Sequence, residues 1–476
     1  MKKFIKFLSI LIIIYAIYFI TSGSLIPKFK ENEIAEKSLS KEIDINRFYS
    51  KEKGVDKASI ITDREDGLSL RYELLDKAKK SVDISYYLID NDISGDLFLG
   101  KITELADRGV KVRILMSKVS SDWSKENIYK TVAMRSHENI EFKYYGEKNL
   151  LKPWIINNIN HDKIIIVDDE YFMTSGRNIS DRFFIGHNEK IVFDMDILIK
   201  RDLNKSLDSS VVKEAKDYFD EIWNCEKSYY PIENIDEYFP QKITNSKKIV
   251  KEKYNLAKKS MDNLLNKNII EKVNFIATNK ISLIHNPVNN LVKEPDVWMT
   301  ISKFLNNAEK RALIQTPYFV LDSNMQKFID FKNIENIDLD VITNSLASSP
   351  NLPAFSAYLF NKKDYLNYGN FYEYQSIGSI HSKAVLIDDD ISMIGSFNID
   401  PRSSFLSTEN MVVINGDEFN KELESTLEYC KNKSLLAKTK KNYIESDNVE
   451  PKKSLPIKRF IYTFLSPLAE VFKHLI

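Results

Sequence analysis

Two short stretches of the chain carry the residues best suited to chemistry. The first reads His161-Asp-Lys163-Ile-Ile-Ile-Val-Asp168 and is followed by Ser175-Gly176-Arg177-Asn178. The second reads His381-Ser-Lys383-Ala-Val-Leu-Ile-Asp388 and is followed by Gly395-Ser396-Phe397-Asn398. On a strand, residues two apart share a face, so each His and Lys are expected to point into one site while the apolar run after Lys anchors the strand. An imidazole works near neutral pH as nucleophile or proton carrier. A lysine at the centre of each motif is a poor neighbour for a metal ion, and no metal or other cofactor is expected. One His-x-Lys is a common surface accident; two copies at identical spacing, each with a later Asp and Asn, are not.

The elements needed to hold these motifs also occur twice. In the first half a helical pattern from Leu74 passes into an apolar strand ending near Ile89, then a helix over Leu99–Arg108, a stop at Gly109 and a strand over 110–115. In the second half a helix over 301–308 precedes a strand over 312–320 and another over 337–342. Short strands at 140–145 and 370–374 come before the motifs, and apolar strands at 195–199 and 410–414 come after them. Helices alternating with strands predict two α/β units of similar plan, over residues 55–240 and 276–440. Between them, residues 241–275 are Lys-rich and read as an exposed helical connector.

The chain's 476 residues suffice for two or three such units at roughly 100–200 residues each. Lys and Arg number 68, as do Asp and Glu, so net charge is zero and no bulk attraction to nucleic acid is expected. Cys225 and Cys430 cannot build a disulfide framework and read as free thiols, although a single bridge between them is open. His137, His187, His285 and His474 show no ligand spacing.

Both ends point to a membrane. Residues 1–30 open with Lys2, Lys3 and Lys6 and continue apolar to Ile20, a signal anchor or a signal peptide; Thr21–Ser24 is not a clear A-x-A site, which favours the anchor. The basic start predicts an extracytoplasmic body held at a cell membrane. Residues 455–476 place Phe460, Ile461, Phe464, Leu465, Leu468, Val471 and Phe472 at helical spacing after a Lys-rich stretch, an amphipathic membrane-associating tail or a helix on the protein's own core.

The duplicated motifs resemble the HxKxxxxD motifs of the phospholipase D superfamily. The likeness covers about Ile60 to Ile414. Arg177-Asn178-Ile179, Asn344-Ser-Leu-Ala-Ser348, Asp400-Pro401-Arg402-Ser403 and Thr408-Glu409 are similar to bacterial cardiolipin synthases, most nearly the C-type. The resemblance implies two similar domains packed about a pseudo-two-fold axis, with both His-Lys pairs in one cleft. It implies His161 as nucleophile forming a phosphohistidine, His381 as the acid and then the base, and Lys163, Lys383, Asn178 and Asn398 offsetting phosphoryl charge. Ser396 is a further phosphate-binding candidate. Each imidazole calls for a carboxylate on its far nitrogen. Glu409 matches the family position in the second half, and Asp196 is its expected counterpart in the first, with Asp194 as the rival. Asp168 and Asp388 complete the catalytic motifs but are expected to organise the local fold. Ser175-Gly176 reverses the common Gly-Ser order, which predicts unequal phosphate contacts. Asn157-Asn158-Ile159-Asn160 stands where basic residues are expected.

These features predict a membrane-associated phosphatidyl transferase acting on phospholipids, with phosphatidylglycerol and, further, phosphatidylethanolamine as candidate substrates. The alternatives are a phospholipase D hydrolase releasing phosphatidic acid, a nuclease of the same superfamily, and an inactive lipid-binding scaffold. Membrane signals at both ends favour lipid over nucleic acid.

Overall fold

The helix–strand alternation of each half folds, in a computed structural model, into a sheet flanked by helices. The structure describes residues 2–121, 123–147, 149–186, 191–238 and 240–476; His187 lies outside them. Nine strands form the first sheet, in the order Ser228–Tyr229, Ile140–Tyr145, Lys111–Ser117, Ser81–Tyr86, Lys163–Val167, Tyr171–Ser175, Asp196–Arg201, Asp56–Ile61 and Ile276–Ala277. Eight form the second: Lys280–His285, Asn410–Asn415, Ile391–Gly395, Ala384–Ile387, Arg311–Gln315, Asp338–Asn344, Asn370–Tyr374 and Ser434–Leu436. In each sheet three neighbours run parallel through helical crossovers. The strand after each His sits centrally, antiparallel to the first of that trio and to its own hairpin partner.

The apolar run of each motif is buried on both faces, as a central strand must be. Ile165 packs with Leu74, Ile84 and Leu198 on the outer side of the first sheet. Its neighbours Ile164 and Ile166 face a second cluster, which also takes Leu386, Ile394, Val412 and Ile414 from the other sheet and Phe219, Ile222, Leu423 and Leu427 from the helices Val211–Asn224 and Asp417–Lys431. This shared core is the seam between the halves. Each fully buried side chain of this size contributes ~1.5–3 kcal/mol, so the halves are held together by burial and not by the cleft residues.

Two short parallel pairings cross the seam. Ile159–Asn160, just before His161, pairs with Ser407–Thr408; Ser379–Ile380, just before His381, pairs with Val192–Phe193. The exchange is reciprocal, as a pseudo-two-fold relation requires.

Several boundaries differ from expectation. The strand expected over 312–320 ends at Gln315, because Pro317 has no N–H to continue the ladder, and Phe319 makes a single bridge to Ile399. The connector is not exposed throughout. Helix Pro240–Ser260 and the short helices after it bury Val250, Tyr254, Ala257, Leu264 and Ile269 in the first half's core, while Lys253 and Lys267 pair with Asp96 and with Glu65 and Asp66. Tyr254 lies against the Cα of Gly100, where any side chain would collide with its ring. Beyond the connector, Ile276–Ala277 returns to the first sheet beside Asp56–Ile61.

The N-terminal helix runs from Lys2 to Ser38, through the small-residue stretch and Pro27. Phe4, Ile12, Ile17 and Ile20 are exposed, whereas Ser24, Ala35 and Ser38 are buried against the body. The C-terminal helix Pro456–Val471 shows both expected behaviours. It buries Tyr462 and Ala469 while leaving Phe460, Phe464 and Leu468 exposed. Cys225 and Cys430 are free and buried.

Candidate active site

Both histidines lie in the turn just before a central strand, so Lys163 and Ala384 begin the strands and the His residues stand at their mouths. Each lysine folds back on its own histidine. Lys163 Nζ donates to the His161 carbonyl at 2.6 Å, and Lys383 Nζ donates to the His381 carbonyl and lies 2.9 Å from His381 Nδ1. His161 N–H reaches the Thr408 carbonyl at 3.3 Å and His381 N–H reaches the Phe193 carbonyl at 2.7 Å, so the seam pairings set the height of both rings.

The acids cross the seam as well. His161 Nδ1 lies 2.8 Å from Glu409 Oε1, and His381 Nδ1 lies 2.7 Å from Asp194 Oδ2. With Nδ1 occupied, Nε2 is the nitrogen of each ring that no carboxylate engages among the described residues. The expectation for Asp196 is thereby corrected. Its carboxylate is fully buried between Arg71, at 2.6 and 3.0 Å, and Arg177, at 3.2 Å, and does not serve a histidine. The register explains this. Asp196 pairs with Ser175 as Met411 pairs with Gly395, so Asp196 matches Met411, and the residue two earlier, Asp194, matches Glu409.

The reversed Ser-Gly order has a steric reason. A Cβ on Gly176 would lie 2.5 and 2.6 Å from the Asp194 oxygens. At the equivalent position Ser396 has a side chain, and its hydroxyl donates to Glu409 Oε2 at 2.5 Å. Ser175 instead serves its own loop, accepting from Arg177 N–H at 2.7 Å.

Asp168 and Asp388 lie at the far end of their strands from the histidines, both in the left-handed region at φ 51° and 48°. Asp168 accepts from the N–H groups of Lys79, Lys80 and Ser81, and Asp388 from those of Glu309, Lys310 and Arg311. They pin the start of the neighbouring strand. Asn178 and Asn398 are buried, and their Oδ1 atoms lack hydrogen-bond partners among the described residues, an arrangement that invites a polar ligand. Asn398 Nδ2 is 3.2 Å from the Tyr318 hydroxyl.

Residues outside the motif pattern complete the surroundings. Asp162, fully buried, accepts from the Tyr218 hydroxyl at 2.6 Å, from Thr408 Oγ1 at 2.9 Å and from Asn410 Nδ2 at 2.6 Å, tying the His161 turn to the other half. Its counterpart Ser382 accepts from Gln315 Nε2, within its own half, and among the described residues its hydroxyl has no partner in the other half. The ring edges of Tyr87 and Phe183 meet His161 and His381 at centroid distances of 4.9 and 5.3 Å. Asp162 was visible inside the motif; the aromatic contacts come from distant segments and left no sequence signal.

Burial disfavours every charge here. It takes His161 well below the ordinary imidazole value, with Lys163 and Lys383 adding to the effect, and brings His381 down to about 4 against the pull of Asp194. Both rings are therefore neutral when the cleft holds no anion. Burial also lowers Lys163 to about 7 and Lys383 to about 8. The carboxyls divide. Burial raises Glu409 well above the carboxylate range despite Lys163, whereas at Asp194 the same burial is outweighed by Lys383 and the His381 hydrogen bond, which hold it below that range.

A two-domain α/β body with paired imidazoles and lysines at its seam defines a class of phosphodiester enzymes, and the comparisons agree. Residues 72–223 and 301–431 match the family described as cardiolipin synthase, PLD-like domain, and the chain belongs to it, an enzyme of the phospholipase D superfamily. Cardiolipin synthase C of Escherichia coli (strain K12) is 24% identical over 396 residues, covering 74% of this chain and 80% of that protein. The major cardiolipin synthase of Bacillus subtilis (strain 168) is 24% identical over 426 residues, covering 86% and 74%. A protein of Helicobacter pylori (strain ATCC 700392 / 26695) described as uncharacterized is 27% identical over 406 residues, covering 78% of each chain. Among solved structures, phosphatidylserine synthase of Haemophilus influenzae Rd KW20 shares the fold, with a TM-score of 0.63 at 13% identity over 90% of this chain and 97% of that one.

Proposed function

We propose that the protein is a membrane-associated phosphatidyl transferase that joins two phospholipids into cardiolipin, with phosphatidylglycerol as the first candidate for both. The observation that carries this reading is the crossed pair of His–carboxylate contacts: each imidazole keeps one nitrogen for substrate, and both belong to one seam. His161 Nε2 attacks phosphorus, forming a P–N bond as the P–O bond to the leaving alcohol breaks, and His381 Nε2–H gives its proton to that oxygen. The incoming alcohol then loses its proton to His381, its oxygen attacks phosphorus, and the P–N bond breaks. The substrate's negative charge favours the protonated lysines and His381, and Lys163, Lys383, Asn178 and Asn398 offset the charge on the phosphoryl oxygens. The acids support this division of roles. Asp194, held ionised, suits the ring that must carry a positive charge, and Glu409, pushed towards its neutral form, suits the ring that must attack uncharged.

Membrane association is supported by the helix Phe4–Ser38, long and apolar enough to cross a bilayer, and by what surrounds it. Tyr15 and Tyr18 donate to the carbonyls of Leu150 and Leu151 at 2.8 and 2.6 Å, and those two leucines are 69% and 76% exposed. With the exposed Phe460 and Phe464 they supply apolar side chains for the bilayer surface. The body is then extracytoplasmic, with the basic N-terminus inside. Since both native thiols are buried, Ser446→Cys on intact cells should react with a membrane-impermeant maleimide.

The test of activity is expression of the wild type, His161→Ala and His381→Ala in a bacterium without cardiolipin synthases, followed by mass spectrometry of its lipids. Cardiolipin with the wild type alone is expected. Phosphatidic acid in its place defines a hydrolase, and unchanged lipids overturn the reading.

A further inference from the structure

Joining two phospholipids brings two phosphates into one cleft: the one under attack and the one the acceptor lipid keeps. The two His–Lys pairs surround the first. The second stays a glycerol's length away, anionic throughout, and an acceptor without it would be a plain alcohol.

Beside His161 the cleft opens into a cavity of about 390 Å³ bounded by Tyr87, Tyr318, Asn398, Asp400, Arg402 and Glu409. Its acidic groups are already engaged. Glu409 holds His161 and the Ser396 hydroxyl. Asp400 accepts from the Ser403 N–H at 2.6 Å, and burial raises it to about 7. Arg402 is different: among the described residues no carboxylate forms an ion pair with it. Its Nε and Nη2 donate to the Leu475 carbonyl at 2.8 and 2.5 Å, Nη2 also lies 3.5 Å from Asn157 Oδ1, and Nη1 has no hydrogen-bond partner among the described residues. Its own backbone N–H donates to an oxygen of Ile476 at 2.8 Å. The guanidinium is thus oriented by neutral oxygens at the wall of the His161 cavity.

We propose that Arg402 binds the phosphate of the acceptor phospholipid, so that the cleft prefers an alcohol bearing a phosphodiester to a neutral one. The inference rests on the transferase reading above. A guanidinium is a fork whose Nε–Nη2 edge is held here by the Leu475 carbonyl and whose Nη1 is left for a phosphate oxygen, and among the described residues no carboxylate forms an ion pair with it. Leu475 holds the side chain, Ile476 holds the backbone N–H, and both line the same cavity, which makes the tail part of the acceptor's wall.

The full-length enzyme in mixed micelles of phosphatidylglycerol and detergent, supplied with ethanol, offers the phosphoenzyme two acceptors. Cardiolipin and phosphatidylethanol are then quantified together. In Arg402→Gln, cardiolipin formation should fall about 10- to 100-fold, through a raised acceptor KM, while phosphatidylethanol stays within about threefold of wild type. Arg402→Lys should recover part of the loss by restoring charge without the fork. Equal loss of both products would place Arg402 on the donor side or in the fold and overturn the proposal, as would an unchanged ratio. A wild type that makes phosphatidylethanol but no cardiolipin leaves transfer standing and overturns the acceptor site; one that makes neither overturns both.

Discussion

His161 leans on Glu409 and His381 on Asp194, in each case a carboxylate lent by the other half, yet the two acids are held by different means. Glu409 reaches its histidine past a serine that donates to its second oxygen. Asp194, shorter by a methylene, comes so close to the backbone that only Gly176 fits behind it. Deeper in, the first half ties Asp196 to Arg71 and Arg177, and Arg177 also donates to the Asp194 carbonyl at 2.6 Å. The second half has Met411 and Phe397 at the positions of Asp196 and Arg177, with Phe397 stacked on Trp298 at 6.5 Å. Duplication thus preserved the backbone and the imidazole–lysine pairs and left the supporting chemistry free to diverge. A symmetric fold carries an asymmetric site, which is what the proposed reaction, with one nucleophile and one acid, requires.

The largest effect that tests this division is loss of a histidine. His161→Ala and His381→Ala should each lower turnover by at least ~10²–10⁴-fold. A phosphatidyl ester of p-nitrophenol, whose leaving group needs no proton, separates them. His381→Ala should release about one equivalent of nitrophenol per enzyme and stall for want of a base, and His161→Ala should release none. The opposite pattern would exchange the roles of the two rings.

The acids come next. Asp194→Asn removes the charge that supports protonated His381 and should cost ~10³-fold, whereas Glu409→Gln keeps a neutral acceptor for His161 Nδ1–H and should cost about 10-fold. Equal losses would mean that the two carboxyls work in the same state. Gly176→Ala should resemble Asp194→Asn in activity, since its methyl group must push the carboxylate off His381. The ionic trio is tested by stability. Asp196→Asn leaves two buried guanidinium groups without their shared counter-ion and should reduce unfolding free energy by ~3–5 kcal/mol in denaturant titrations, with the pH profile of the remaining activity unchanged.

Much of this was legible in the chain. The repeat, the two α/β units and both motifs follow from apolar periodicity and spacing, which depend on local sequence. The fold-organising part of Asp168 and Asp388 was legible as well, because each lies one strand's length beyond its lysine. The partner of the second-half histidine was not. Asp194 and Asp196 are both acidic beside the same strand, and choosing between them needs the sheet register: Asp194 precedes the apolar strand at 195–199 just as Glu409 precedes the one at 410–414. That signal was present and is weaker than side-chain type alone. The crossing of acids between halves, the core taken from the Lys-rich connector and the tail at the cleft wall depend on contacts between distant segments, which spacing along one chain does not encode.

A smaller effect separates the two lysines. Only the ammonium form holds a phosphate, so binding of an unreactive phosphodiester, which needs no proton from His381, should weaken as pH rises through about 7, where Lys163 loses its proton, and again near 8 for Lys383. No acidic limb should appear at the ordinary imidazole value, because both rings are already neutral there. An alkaline limb near the usual lysine value of about 10.4 would mean that the substrate-free cleft is too wet to shift these groups, and the acids would then differ less than proposed.

The smallest effect belongs to the one hydroxyl that the first half lacks. Ser396→Ala removes the donor to Glu409 and leaves the carboxyl with His161 alone; at ~0.5–1.5 kcal/mol for such a bond, activity should fall only a few-fold. Its sign is informative in combination. If Ser396 serves chiefly to orient Glu409, its loss should add little in Glu409→Gln, and the double variant should fall near the single one. If it instead contacts the phosphate directly, the two losses multiply. The first outcome makes Ser396 and Gly176 two solutions to one problem, seating a carboxyl of given length behind an imidazole, and the reversed order of Ser and Gly then follows from the choice of Asp in one half and Glu in the other.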